Sequence, residues 1–161
     1  PTTHVSSRRF LFFLRKSKMA EEKATMSAEL AEQEFKDWAE NMGLEVEADE
    51  SRSEMNETLL SSGKKLFVRA LTKGSAVIND NGNLVYTVSR FSPEGYKNTE
   101  VEINIPSPRA FAAVGKKGND GTQKALSIAS SMTGKDTGWF LNLGLPDFKF
   151  FMGIVGLFLM D

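Results

Sequence analysis

Apolar positions in this chain first keep helical spacing, switch to alternation in the middle, and return to helical spacing before a last run that is apolar all round. Ala28, Ala31, Phe35, Trp38 and Met42 recur at i, i+3, i+7, i+10 and i+14, which lines one face of an α-helix. Gly43 supplies the stop, and Phe35 and Trp38 are core side chains on this reading. Glu45 to Glu50 is an acidic connector, a solvated loop or linker. From about Ser53 to Lys73 the residues Met55, Leu59, Leu66 and Ala70, with Leu60, Phe67 and Leu71, predict a second helix closed by Gly74. Gly63 interrupts it at some cost in stability. The alternative is a break at Ser61-Ser62-Gly63 with Lys65 to Leu71 as a strand, and short apolar runs do not decide between the two.

The period then changes. Ala76-Val77-Ile78 and Leu84-Val85-Tyr86-Thr87-Val88 flank Asn79-Asp80-Asn81-Gly82, a hairpin signal because Asn and Gly both tolerate positive φ. The same loop is not a calcium loop: placing Gly82 sixth puts Val77 at the first ligand position. After Ser92-Pro93-Glu94-Gly95, Val101, Ile103 and Ile105 alternate with Glu100, Glu102 and Asn104, as in a half-buried strand. Ser107-Pro108 then opens a helix through Ala110, Phe111 and Val114, and Lys116 to Gly121 is a polar loop. Ala125, Ile128, Ala129 and Met132 share a helix face that stops at Gly134. Asp136 caps a short helix through Trp139, Phe140 and Leu143, and Leu145-Pro146-Asp147 opens the last one. The predicted fold class is α+β: N-terminal helices, a small antiparallel three-stranded sheet with a β-hairpin, and a C-terminal helical part.

The last run, Phe148 to Asp161, reads FKFFMGIVGLFLMD. Its apolar part, Phe150 to Met160, is shorter than the about 20 residues a bilayer span needs. Phe148, Phe151, Met152, Val155, Phe158 and Leu159 fall on one helix face, and Phe150, Ile154 and Leu157 on the other. A helix apolar all round needs cover on two sides. Gly153 and Gly156 allow close backbone approach.

Composition removes several function classes. The chain has 161 residues, enough for one ordinary domain, and its 20 basic and 21 acidic residues leave a net charge of −1. That balance argues against nucleic-acid binding driven by bulk charge. The chain contains no cysteine, so disulfides, thiolate nucleophiles and cysteine zinc sites are excluded. The one histidine, His4, lies in a polar leader. That leader, residues 1–18, holds Phe10-Leu11-Phe12-Phe13-Leu14 between basic pairs, too short for a signal-peptide core. It is read as disordered, with Met19 as the natural start, and residues 19–161 as a single α+β domain. Within that domain, 19–50 is helix plus acidic connector. No phosphate-binding loop occurs: around Gly134-Lys135, Ala129 stands where the first glycine belongs and Asp136 where the hydroxyl belongs. Ser127, Ser130 and Ser131 lack a histidine partner, and Lys124 and Lys135 are solvated charges. The expectation is a non-enzymatic protein with no catalytic residue, cofactor or metal.

The order of segments carries a resemblance. Arg69-Ala70-Leu71-Thr72-Lys73-Gly74 precedes a strand–Asn-Gly–strand pair ending in Tyr86, and a strand then runs into Ile105-Pro106-Ser107-Pro108. A short helix, a helix ending in Met132-Thr133-Gly134, and Leu141-Asn142-Leu143-Gly144-Leu145-Pro146-Asp147-Phe148 with a final apolar helix complete it. This order resembles the tail assembly chaperones of long-tailed bacteriophages over Leu66 to Met160, a chaperone-like core spanning 66–160. The preceding helices and the loop from Phe91 to Asn98 have no counterpart in it. The resemblance implies a protein that binds the tape measure protein in the cytoplasm of the infected bacterial host and is absent from the mature virion. It further implies that tail tube protein is recruited through a longer frameshift product, and this chain suits the short form.

The candidate partner-binding residues are Phe148, Phe151, Met152, Ile154, Val155, Phe158 and Leu159. On this reading their second cover is another copy, as a homo-oligomer, or an amphipathic helix of the client. Met132, Met152 and Met160 suit an adaptable surface. The competing reading is a central core helix sealed by Phe35, Trp38, Trp139 and Phe140. Other classes are a structural tail or head–tail adaptor protein, then a membrane-active protein using both apolar ends, then a nucleic-acid-binding regulator. Neither membrane nor nucleic acid is an expected partner.

Overall fold

The computed structural model describes residues 26–114 and 121–160. The leader, the Met19 start and most of the polar loop after Gly115 lie outside the described residues. Those described form six helices and one three-stranded antiparallel sheet, an α+β fold. None of these helices is long and apolar enough to cross a membrane.

Helix α1 spans Ala28–Asn41, with the Ser27 hydroxyl accepting the Leu30 N–H at 3.2 Å. It buries Ala31, Phe35, Trp38 and Ala39 and stops at Gly43, which takes φ +74°. The connector that follows is solvated but tied down. Glu45 and Glu47 point to water, while Leu44 and Val46 pack against the core. Arg52 holds it from below, donating to the carbonyls of Glu45 and Glu47 at 3.3 and 2.8 Å and to Glu57 Oε1 at 2.8 Å.

Helix α2 runs unbroken over Glu54–Lys73, so the alternative break and strand do not occur. Gly63 is buried there, and a Cβ on it would lie 2.8 Å from the Gly153 carbonyl oxygen and 2.5 Å from Leu157 Cγ. It is a packing residue, placed where two backbones meet, and not a breaker. Gly74 closes α2 in the left-handed conformation.

Strands β1 (Ala76–Ile78), β2 (Leu84–Thr87) and β3 (Glu100–Ile103) pair in chain order. Leu84 lies opposite Ile103 and Tyr86 opposite Val101, and all four are buried. The hairpin forms where expected, but not through two residues of positive φ. Only Gly82 takes one; Asn79 organises the loop, its side-chain oxygen accepting the N–H groups of Asn81 and Asn83, each at 3.0 Å. Ile105, expected on the inner face, is 61% exposed. The ladder ends at Ile103, and the Asn104 N–H turns to the Met132 carbonyl at 2.8 Å.

Helices α3 (Pro108–Val114), α4 (Gly121–Thr133) and α5 (Thr137–Leu141) follow. Asp136 caps α5, accepting the Trp139 N–H at 2.8 Å. Helix α4 buries Leu126 as well as Ile128, Ala129 and Met132. Helix α6 spans Leu145–Phe158 and runs antiparallel to α2, with Gly156 facing Leu59 and Gly153 facing Leu66.

Candidate functional site

Helix α6 is the axis of the core, and the chain itself supplies both covers. Towards its C-terminal end, Phe158 meets Trp38 edge-on at 6.1 Å, and Trp38 in turn packs on Phe67 at 5.0 Å. Towards its N-terminal end, Phe150 stacks on Tyr86 at 3.9 Å. Phe151 meets Tyr86 and Phe140 edge-on, both at 5.3 Å, and Trp139 at 5.9 Å. Of the residues expected to seal a central core helix, Trp38, Trp139 and Phe140 therefore meet α6, joined by Tyr86, and Phe35 packs behind Trp38 with Phe67.

This placement corrects part of the expected partner surface. Phe151, Ile154 and Val155 are at most 2% exposed, so in the folded chain they are core residues. The physical reason is that α2 and α4 both pack along α6, with Tyr86 of the sheet covering Phe150 and Phe151. Phe148, Met152, Phe158 and Leu159 remain half-buried. Leu145, Phe148 and Met152 of α6, with Leu159 at its C-cap, lie at i, i+3, i+7 and i+14, while Val155 at i+10 of the same row is buried. Leu145 at its head is 62% exposed. Phe158, committed to Trp38, lies off that row.

The first turn of α6 carries a second feature. Asp147 is fully buried, and its carboxylate accepts four hydrogen bonds. Oδ1 takes the Tyr86 hydroxyl at 2.6 Å and the Ser89 N–H at 3.0 Å. Oδ2 takes the hydroxyls of Ser89 at 2.8 Å and Ser92 at 2.6 Å. Burial pushes the Asp147 carboxyl up, but the hydrogen bonds from Ser92, Tyr86 and Ser89 outweigh it and hold the group below its ordinary range. Burial, then the bond to Asp147, pushes the Tyr86 hydroxyl well above its own range. Ser92 Oγ also accepts the Gly144 N–H at 2.8 Å, so one loop anchors both the cap and the first turn of α6. Gly144 must be glycine for this: a Cβ there would lie 2.2 Å from the Phe91 carbonyl oxygen.

In the sequence Asp147 reads only as a helix opener, and nothing there gives the Phe91–Asn98 loop a role. The available signal was a single carboxylate entering an apolar run, with serines in a loop more than fifty residues earlier; no periodicity links them. Ser130 and Ser131 donate to the backbone carbonyls of Lys135 and Ile128. Lys135, expected as a solvated charge, lies over the Trp139 ring at 5.4 Å. Among the described residues no group of three His, Cys, Asp or Glu side chains is placed to hold a metal ion.

Comparison of the chain with protein-family models, with curated proteins and with solved structures finds no match.

Proposed function

We propose that this chain is a non-enzymatic bacteriophage tail assembly chaperone that binds and solubilises the tape measure protein in the cytoplasm of the infected host. The observation that carries the proposal is the row of Leu145, exposed, and Phe148, Met152 and Leu159, half-buried, on the terminal segment whose Phe151, Ile154 and Val155 are already covered. Such a row accepts the apolar face of a client helix without unfolding the chaperone. Met152 supplies a side chain that adapts to many similar client segments. The order of segments from Arg69 to the terminal helix supports the same reading. On this proposal tail tube protein meets the complex through a longer product, self-association uses the same row, and the mature virion lacks the chain.

The test is co-expression with the tape measure protein encoded beside it. The wild-type chain keeps the client soluble, whereas a double variant, Met152→Glu with Leu159→Glu, stays folded by circular dichroism and loses the rescue. Undiminished rescue by that folded variant sinks the proposal. So does recovery of the chain at stoichiometric copy number in purified particles, which is the outcome for a structural adaptor.

A further inference from the structure

The C-terminal half of α2 and the first turns of α6 wall a groove of about 440 Å³. Leu66, Ala70, Pro146 and Phe150 give it an apolar lining, beside which Ser75, Tyr86 and Ser89 also line it. Its rim is cationic, from Arg69 and Lys73 on α2 and Lys149 on α6, and no acidic residue lines it. The three cations are exposed, and among the described residues the ion pairs, Arg52–Glu57 and Lys97–Glu94, lie elsewhere. Asp147, in the same turn of α6 as Lys149, is fully buried, accepts from four donors and does not line the groove. Phe91 and Leu145 stand at the mouth, 61% and 62% exposed, and the Arg90 guanidinium lies 5.1 Å over the Phe91 ring. Leu66, Ala70 and Lys73 follow one face of α2 for two turns, about 10 Å at the helical rise.

We propose that this groove binds an acidic amphipathic helix of a partner protein. The apolar face of that helix covers Leu66, Phe91 and Leu145, and its flanking carboxylates meet Arg69, Lys73 and Lys149. Charge complementarity selects this occupant: an apolar lining rewards burial of side chains, and unpaired cations on both walls reward carboxylates at its edges. A phosphate backbone has no use for that lining, and a flat lipid surface does not enter a groove between two helices. The groove shares only Leu145 with the row through Phe148, Met152 and Leu159, so the inference goes beyond the chaperone reading by adding a second binding surface, for an acidic segment. It rests on that reading only for the partner's identity, so peptide binding and client rescue fail separately.

The experiment is fluorescence anisotropy with the purified full chain and a labelled helical peptide of leucine and glutamate, about 15 residues, a length at which isolated helices become viable. The acidic peptide binds, added salt weakens it, and the same peptide with lysine for glutamate does not bind. Arg69→Glu with Lys149→Glu weakens binding at least about tenfold, equivalent to about 1.4 kcal/mol. Lys73→Glu, the second variant, weakens it less, and Lys36→Glu on α1 leaves it unchanged. Equal binding of the lysine peptide overturns the proposal, as does a folded double variant indistinguishable from Lys36→Glu. A preference for phosphatidylserine vesicles or duplex DNA over the acidic peptide overturns it as well.

Discussion

Replacing Asp147 with alanine removes the acceptor from four donors at once. A hydrogen bond to a charged group contributes about 1.5–3 kcal/mol, but the four do not simply add. The Ser89 and Ser92 hydroxyls can turn to other acceptors, and deleting the carboxylate also removes its own desolvation cost. A loss of about 3–5 kcal/mol is expected, as for breaking one side of a buried charged network. That is a large part of the about 5–15 kcal/mol that holds a typical domain folded. Asp147→Asn is milder. Its carbonyl still serves Tyr86 and the Ser89 N–H, while its amide can only donate where the Ser89 and Ser92 hydroxyls donate to Oδ2, so those two hydroxyls lose their acceptor. About 1–2 kcal/mol is expected for that mismatch. Urea unfolding followed by the fluorescence of Trp38 and Trp139 measures both losses, with unchanged slopes showing that only stability moved. An alanine variant that loses less than about 1 kcal/mol refutes the reasoning, because an unanswered buried donor alone costs about that much.

Acid sensitivity follows from the same carboxylate. Its folded pKa is depressed, so its contribution is complete above the unfolded value near about 4 and is lost as pH falls through the folded value. Stability therefore drops below about pH 4, and Asp147→Asn flattens that limb in a pH series of urea midpoints. A residual slope remains, because hydrogen bonds from Asn83 and Asn79 lower Glu102, and those from Ser51 lower Asp49. Gly63→Ala should destabilise by about 1–2 kcal/mol in thermal unfolding, although alanine favours helix by about 1 kcal/mol, because overpacking against a backbone carbonyl outweighs it. Gly144→Ala meets the Phe91 backbone and should cost about 1–3 kcal/mol; an unchanged melting temperature counts against the anchoring role given to that loop.

The local signals in this chain were legible because each is chemistry at short range. Asp136 caps where a carboxylate can reach an N–H three residues on, and Gly43, Gly74 and Gly134 stop helices where φ must be positive; Ser27 and Ser53 cap in the same way, although neither is read as a cap from the sequence. Alternation found β3, but not its end: nothing local says that Asn104 leaves the ladder for Met132. The all-round apolarity of α6 shows that two covers are needed; Trp38, expected in one, meets Phe158, with Phe35 packed behind it on Trp38 and Phe67. That apolarity does not show that Tyr86 completes the other, since that depends on how the sheet docks. The consequence reaches the functional argument. Removing α6 after Asp147 deletes Phe150, Phe151, Ile154 and Leu157 from the core, so a truncated chain fails for want of a fold and says nothing about a client. The proposed function therefore turns on side chains that the core does not enclose, Met152 and Leu159, and not on Phe151 or Ile154.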